Sequence, residues 1–435
     1  MWNTQELETF FGHLETLGLS QPEIYWEQTQ SASLALRGKI EELRLSRHQG
    51  IALRCFRGPQ ALQFFSSDLQ GLRDSVDGKT PPRLALAEAP GHTSPLLEAT
   101  QPIFAALRAA FSLQNEKIGG QRAEGILTER HYWVARPGQP ASEGREQSGT
   151  LRTHWWVQEQ ARVAHRWQCH RANLEGLVEE LRGAEGLANA IRKSTVSSVL
   201  WPAPEGPLPV LWSARAIAAL QTLFLRAFEG DRLLGDRSFL TLLPLPLSLA
   251  FTLEDRAATG CSDHEGHLKK NTPLLRAGRP AALACNRRVA EQLEVAPTGH
   301  ARRESYETPA TLGFWNPHVE GQVQSACLLA EMERGLSVRE IEVQAFDTAT
   351  GQARIRLTEC YLVHHGAEGE KVEPIELSLP LVSLLETLSR FEKNKRTTGV
   401  AIDKQNQSLV TEISAPAALS ERFPLPGSVP ASHYW

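Results

Sequence analysis

The sequence has no hydrophobic run long enough to cross a membrane as a helix. Its most apolar stretch, residues 239–253, is about 15 residues long and contains Pro244 and Pro246, whereas a spanning helix needs about 20 apolar residues. The first twenty residues hold neither a basic cluster nor a continuous apolar run, so they do not resemble a secretory signal. We therefore expect a cytoplasmic protein with no membrane partner.

The chain also lacks closely spaced cysteines. Its six cysteines are scattered and form no Cys-x-x-Cys pattern, which excludes a disulfide framework and a zinc ribbon as the basis of the fold. This distribution is typical of a protein from a reducing compartment. The six are Cys55, Cys169, Cys261, Cys285, Cys327 and Cys360.

Charge of one sign is not in large excess either. The formal net charge is −4 and the isoelectric point is about 6.4. A mildly acidic chain has no general attraction for phosphate backbones, so we expect no direct contact with nucleic acid. The sequence contains no Gly-x-Ser-x-Gly motif and no glycine-rich phosphate loop, so neither pattern identifies a hydrolase or a nucleotide-binding protein.

A length of 435 residues predicts two domains. Residues 201–209 (WPAPEGPLP) hold four prolines and a glycine, which is typical of a boundary between domains. We expect an N-terminal α/β domain at residues 1–200 and a mostly β domain at residues 201–435.

Hydrophobic periodicity predicts an α+β fold, in which a sheet-and-helix domain precedes a mainly antiparallel β domain. Ser213 is the expected N-cap of a central helix, and Gly230 is expected just past its end. The expected helices are 5–17, 95–113, 174–192, 214–229 and 381–391, the expected strands include 24–29, 32–37, 40–45, 51–57, 126–135, 240–253, 341–346, 353–363 and 375–379, and residues 137–149 are expected to form a loop.

The densest cluster of possible metal ligands is residues 263–267 (Asp-His-Glu-Gly-His). Its spacing is not that of the helical His-Glu-x-x-His motif, and Gly266 indicates a turn. Asp263, His264 and His267 could bind a metal only if the loop curled around the ion. The alternative is an exposed polar turn between two strands.

Several short motifs occur in order between about residue 209 and residue 425. They are residues 228–231 (Phe-Glu-Gly-Asp), 263–266 (Asp-His-Glu-Gly), 298–303 (Thr-Gly-His-Ala-Arg-Arg), 404–407 (Lys-Gln-Asn-Gln) and 414–416 (Ser-Ala-Pro). Their order resembles that of the TldD/PmbA family, to which the label modulator of DNA gyrase also attaches. The resemblance implies a two-lobed α+β protein that dimerises and acts on unfolded or small peptides.

The metal-binding residues of TldD-type members are missing from this sequence. Their helical His-Glu-x-x-x-His motif, counted back from Glu229, falls on Gln221, Thr222 and Arg226, and their late cysteine falls on Ile402. A zinc site needs about three nitrogen, sulfur or oxygen ligands. The departure therefore resembles the metal-free TldE/PmbA-like branch, and it implies that this chain has no cofactor of its own.

The resemblance further implies a non-catalytic subunit that holds peptide for a TldD-like, metal-bearing partner, or that forms a homodimer. The residues expected at the peptide cleft are Glu229, Asp231, Asp263, Glu265, Arg303 and Lys404. Two alternatives remain: an autonomous hydrolase with a displaced metal site at Asp263, His264 and His267, and a free-standing peptide-binding module.

The missing ligands generate a prediction about metal content. We expect the purified chain to retain no stoichiometric zinc after exhaustive dialysis, because an arginine and an isoleucine replace two ligands of the set. Elemental analysis of the dialysed protein measures this. About one tightly held zinc ion per chain near residues 221–231 would contradict the prediction.

Overall fold

The computed structural model describes residues 4–37, 40–58, 60–79, 95–112, 118–157, 164–183, 186–194, 196–201, 206–242, 245–257, 261–405 and 407–425. These residues form three sheets: a six-stranded sheet within residues 20–171, and a twelve-stranded and a two-stranded sheet within residues 208–423. We call the six-stranded sheet with its helices the first lobe, and the twelve-stranded sheet with its helices the second lobe. The predicted α+β fold class is confirmed.

The first lobe is a fully antiparallel sheet with the strand order β3-β2-β1-β4-β5-β6. Its elements are α1 (Thr4–Thr16), β1 (Ser20–Arg37), β2 (Ile40–Arg57), β3 (Gln60–Ser66), α2 (Leu69–Val76), α3 (Pro95–Ser112), β4 (Ile118–Ala135), β5 (Ser142–Val157), β6 (Ala164–Arg171), α4 (Leu174–Arg182) and α5 (Leu187–Ser194).

Strict alternation along the long strands gives this sheet one apolar and one polar face. In β1, Leu34 and Leu36 point to a buried cluster that includes residues of α3, α4 and α5, and Ile24 points to a cluster that includes residues of α1. Successive side chains of a strand point to opposite faces. The intervening residues, such as Thr29 and Ser31, therefore lie on the other face, opposite the described helices of the first lobe.

The second lobe has a mostly antiparallel sheet whose main path is β10-β9-β8-β13-β20-β7-β15-β16-β17. Its elements are β7 (Leu208–Trp212), α6 (Ala214–Leu225), α7 (Gly230–Leu234), β8 (Phe251–Asp255), β9 (Thr272–Arg276), β10 (Arg279–Pro280), α8 (Arg287–Leu293), β11 (Ala301–Arg302), β12 (Thr311–Leu312), β13 (Pro317–Gly321), β14 (Gln324–Ser325), β15 (Arg334–Phe346), β16 (Gln352–His364), β17 (Ala367–Val372), β18 (Ile375–Pro380), α9 (Leu381–Glu386), β19 (Leu388–Lys404) and β20 (Gln407–Phe423).

Helix α6 lies at the centre of the second core. Ser213 caps it as predicted, since its side chain accepts a hydrogen bond from the Ala216 backbone amide. Ile217, Leu220 and Phe224 are fully buried in the largest hydrophobic cluster of the described chain. The helix ends at Leu225, earlier than predicted, because a short 3-10 turn follows and Gly230 begins the next helix.

The chain joins the second sheet before the predicted boundary segment. The Val199 amide donates to the Lys371 carbonyl, and the Glu373 amide donates to the Val199 carbonyl. The division at residues 200 and 201 stays a prediction. Among the described residues, no helix is long and apolar enough to span a membrane.

The predicted loop at residues 137–149 is wrong, since β5 begins at Ser142. The glycines that indicated a loop serve close packing instead. A Cβ on Gly144 would lie 2.2 Å from the Tyr132 ring, and one on Gly149 would lie 2.8 Å from Leu177. Tertiary packing therefore overrides the local propensity.

Other differences in element bounds have local causes. The predicted strand at residues 240–253 is confined to Phe251–Asp255, after a stretch in which Pro246 cannot donate to a ladder. The predicted helix 174–192 is two helices, and its interruption includes Gly183 and Gly186. The predicted helix 381–391 ends at Glu386, because the chain then pairs with β20 from Leu388.

The edge of the first sheet packs tightly against the second lobe, and this contact yields a stability prediction. A Cβ on Gly399 would lie 1.4 Å from the His170 carbonyl oxygen, so Gly399→Ala should lower the free energy of unfolding by about 1–3 kcal/mol. In contrast, Gly12 in α1 has open space around it, and Gly12→Ala should raise stability by about 0.5–1 kcal/mol. Urea unfolding of the two variants measures both changes. If Gly399→Ala has the same free energy of unfolding as the wild type, the close contact between Gly399 and the His170 carbonyl is contradicted.

Candidate functional site

The four positions predicted to correspond to metal ligands of TldD-type members lie on α6, on the turn after it, and on β19. The Arg226 guanidinium donates from Nη2 to the carbonyl of Asp403 at 2.8 Å, next to Ile402. The Thr222 hydroxyl donates to the Ala219 carbonyl at 2.6 Å. Gln221 is fully buried, and neither atom of its amide has a hydrogen-bond partner.

This set of side chains does not fit a zinc ion. Arg226 is a permanent cation with no lone pair to donate, and Ile402 has no donor atom. The Thr222 hydroxyl is already used within its helix. Gln221 and Thr222 offer one neutral oxygen each, and two weak neutral ligands fall short of the three that zinc requires.

Three of the predicted cleft residues meet beside this position as an ion cluster. The Lys404 ammonium lies 3.1 Å from a Glu229 carboxylate oxygen and 3.2 Å from an Asp231 carboxylate oxygen. Arg232 adds a second contact to Glu229 at 2.6 Å. Glu229 and Lys404 are buried, so the cluster ties α7 to the end of β19.

The segment at residues 263–267 is a turn, but the expected exposure is wrong, because Asp263, His264 and Glu265 are fully buried at the junction of the lobes. One Asp263 oxygen accepts from the amides of Glu265 and His267, and the other accepts from the amide of Ala301. Burial, followed by the charge of Glu265, raises the pKa of Asp263 to about 7. Asp263 therefore holds the backbone of this turn and of Ala301 in place, and it does not face the expected peptide cleft.

The two histidines of this turn engage different partners. His264 accepts at Nδ1 from the Arg303 amide at 2.7 Å, and its Nε2 lies 3.1 Å from a carboxylate oxygen of Glu146. His267 faces the Arg136 guanidinium at 3.4 Å. In the described part of the chain, no group of three or more His, Cys, Asp or Glu residues could hold a metal ion. The geometry does not favour a displaced metal site at Asp263, His264 and His267.

Buried ion pairs join the lobes around the same turn. Glu23 of β1 lies 2.9 Å from Arg136 and 3.2 Å from Arg303. Glu265 lies 3.0 Å from Arg54 of β2, and its other oxygen accepts from the Arg287 amide at 2.7 Å. Burial, and then Glu265, raise the pKa of Glu23 above its usual value. We call these contacts the junction network.

A cavity of about 970 Å³ opens beside the junction network, between the polar face of the first sheet and the second lobe. Among the predicted cleft residues, Arg303 lines this cavity, whereas Glu229, Asp231, Asp263, Glu265 and Lys404 do not. The polar face contributes Glu27, Thr29, Ser31, Ser33, Thr128, Arg130, Glu146, Ser148, Thr150 and Arg152, and the second lobe contributes Lys269, Arg302, Trp315 and residues 408–410.

The sequence reasoning missed the residues of the first lobe that line this cavity. The signal was present as a period of two, since polar residues recur at Glu27, Thr29, Ser31 and Ser33. The pattern gave no indication that a second lobe faces this surface, because residues 27–33 and the cavity residues of the second lobe are over two hundred positions apart in the chain.

Charge at the deep end of the cavity centres on Glu146. Burial alone would raise the pKa of Glu146, but His264, Lys269 and Arg302 together hold it well below its usual value. The Lys269 ammonium lies 3.3 Å from the centroid of the Trp315 ring, and the Arg302 guanidinium lies 4.5 Å from it. This end of the cavity therefore combines cations, an anion and an aromatic surface, which suits the charged and polar groups of a peptide.

The fold and the cavity define a class: a two-lobed α+β protein with a polar cavity between its lobes. Residues 205–424 match the family model of the PmbA/TldA metallopeptidase C-terminal domain. Because this match covers half of the chain, the chain belongs to the TldD/PmbA family, as its motifs predicted.

Individual relatives agree with this assignment. The Metalloprotease TldD homolog of Haemophilus influenzae is 23% identical over 261 residues, which cover 57% of this chain and 54% of that protein. The chain thus spans about half the length of the curated relative that it matches.

Solved structures resemble the whole chain. TldE from Thermococcus kodakarensis has a TM-score of 0.74 at 14% identity and covers 97% of this chain and 99% of its own. A candidate modulator of DNA gyrase from Thermotoga maritima has a TM-score of 0.71 at 16% identity and covers 98% and 100%. At such identities the likeness shows the fold alone.

The buried histidines generate a prediction about pH. Burial lowers the pKa of His264 and of His170 to about 4 each, against about 6.5 in an unfolded chain. Between these values the unfolded chain binds protons that the folded chain does not, so stability falls as pH falls from 6.5 towards 4. Each histidine should contribute about 2 kcal/mol to the loss between pH 7 and pH 5.

Urea unfolding at the two pH values tests this expectation. His264→Gln should flatten the pH dependence by about 2 kcal/mol whatever it does to stability at pH 7. The exposed His364 is the matched control, and His364→Gln should leave the pH dependence unchanged. Equal pH dependence in the wild type and His264→Gln would contradict the burial of a neutral imidazole.

Proposed function

We propose that this chain is a TldE/PmbA-like, non-catalytic subunit that holds small or unfolded peptides for a TldD-like partner, which carries the metal. The observation that carries the proposal is the state of the metal-site position. There, Arg226 donates to the Asp403 carbonyl beside Ile402. A guanidinium at this place repels a divalent cation and provides no ligand.

The surroundings of that position are maintained although the ligands are absent. Lys404, Glu229 and Asp231 form a buried ion cluster that holds the end of β19 against α7. Such a cluster requires a complete set of partners, because removing one leaves an uncompensated buried charge. A well-ordered but ligand-free site supports a role in shape and binding rather than in hydrolysis.

The cavity between the lobes is the proposed place for the peptide. Its volume of about 970 Å³ is at the upper end of the range for ligand pockets. Hydroxyl groups of Thr29, Ser31, Thr128 and Ser148 line its wall, and each can donate and accept hydrogen bonds. An extended backbone could satisfy its amides and carbonyls there without a specific side-chain sequence.

A cytoplasmic location and a protein partner belong to the same proposal. All six cysteines are free, which supports a reducing compartment. A net charge of −4 favours no direct nucleic-acid contact, so any effect on DNA gyrase would follow from peptide hydrolysis by the complex.

Co-expression tests the subunit role. With a His-Glu-x-x-x-His relative from the same organism, we expect a stable heterodimer whose peptidase activity a chelator abolishes, and no activity from this chain alone. Size-exclusion chromatography and turnover of short peptides measure both. Separate elution at micromolar concentration without gain of activity would contradict the proposal and favour a free-standing peptide-binding module.

A cavity variant separates substrate holding from assembly. Thr128→Trp should fill part of the cavity wall, so we expect the heterodimer to form while KM for peptides rises about tenfold or more. Glu179→Trp, on an exposed face of α4 outside the cavity, is the control and should leave KM unchanged. If Thr128→Trp also leaves KM unchanged, the peptide does not lie in this cavity.

A further inference from the structure

A second, apolar pocket of about 430 Å³ lies on the opposite face of the first sheet from the cavity. Its floor is Ile24 and Trp26 of β1, Ile51 of β2, and Trp133 and Ala135 of β4. These residues point away from the cavity because their neighbours Tyr25 and Tyr132 point towards the second lobe. The same strands therefore build two recesses back to back.

Two tryptophans form an aromatic wall in this pocket. Trp26 and Trp133 are directly opposite each other across β1 and β4, and their ring centroids are 4.2 Å apart. Leu7 and Phe11 of α1 close the other side. A recess with aromatic and aliphatic walls and a volume above 300 Å³ is typical of a small-molecule site.

The charged side chains at the rim of the apolar pocket determine which sign of charge a ligand should carry. Arg136 lines the pocket, and its guanidinium lies 2.9 Å from Glu23, a carboxylate that it shares with Arg303. Glu8 and Asp68 also line the pocket and are exposed, and neither carboxylate has an ion pair within the described ranges of the chain. The rim is therefore net negative above an aromatic wall, which is the combination that favours a cation with an apolar body.

We propose that this pocket binds a small organic amine with a flat apolar body, of the size of an arylalkylamine. The ring would pack against Trp26 and Trp133, and the ammonium group would lie between the carboxylates of Glu8 and Asp68. The site is separate from the peptide cavity and does not depend on the subunit role.

Two probes that share a phenylethyl body and carry opposite charges test the proposal at pH 7. We expect 2-phenylethylamine to bind with a dissociation constant in the low millimolar range or below, and 3-phenylpropionate to bind about fivefold more weakly or worse. Calorimetry gives the affinities, and tryptophan emission reports occupancy next to the rings. Equal affinities, or no binding of the amine at low millimolar concentration, would overturn the proposal.

Conservative variants distinguish the contribution of the rim carboxylates to probe binding from that of the tryptophan walls. The double variant Glu8→Gln with Asp68→Asn should abolish the preference for the amine. Its asparagine can still cap α2, as Asp68 does by accepting from the Gly71 amide. Trp133→Leu should weaken both probes. Glu15→Gln, on the same helix but outside the pocket, is the control and should change neither.

A double variant that keeps the full preference for the amine would also overturn the proposal.

Discussion

The junction network is the constraint on which the rest of the site depends. Glu23 is buried between an arginine of its own lobe, Arg136, and one of the other lobe, Arg303. A buried carboxylate of this kind is tolerated only while its cationic partners stay in place, since loss of one partner leaves a charge in a poorly polar interior. The network therefore fixes the orientation of the lobes. It also positions Arg303 at the wall of the cavity and the Arg303 amide against His264.

The long strands of the first sheet have two faces with different surroundings. One face buries Leu34 and Leu36 under helices, while the opposite face presents hydroxyls and charges to the second lobe. Because side chains alternate, every residue added to a strand extends both faces together. A sheet of this length can therefore contribute to a hydrophobic core and an apolar pocket on one face and to a polar cavity on the other, where the second lobe supplies the opposite wall.

The predicted metal position has no complete set of ligands, yet it is tied into the fold. Arg226 and Ile402 offer no ligand atom, and Lys404 holds the end of β19 against two carboxylates. The sequence indicated these residues, because ligand chemistry follows from residue type. It did not reveal that Glu229 and Lys404 are buried and paired with each other, because burial depends on packing between elements far apart in the chain.

By itself, the sequence determined the α+β class, the family, most helices, and the absence of zinc ligands at positions 221, 222, 226 and 402. These properties depend on local periodicity and on residue chemistry, which a single chain displays directly. Only the tertiary structure decided that residues 142–149 are strand and that the turn at Asp263 is buried. It alone placed Glu146 beside His264, 118 positions away, to form one end of a cavity. The physical reason is that pairing, burial and electrostatic environment arise from contacts between distant segments, and local patterns do not encode which segments meet.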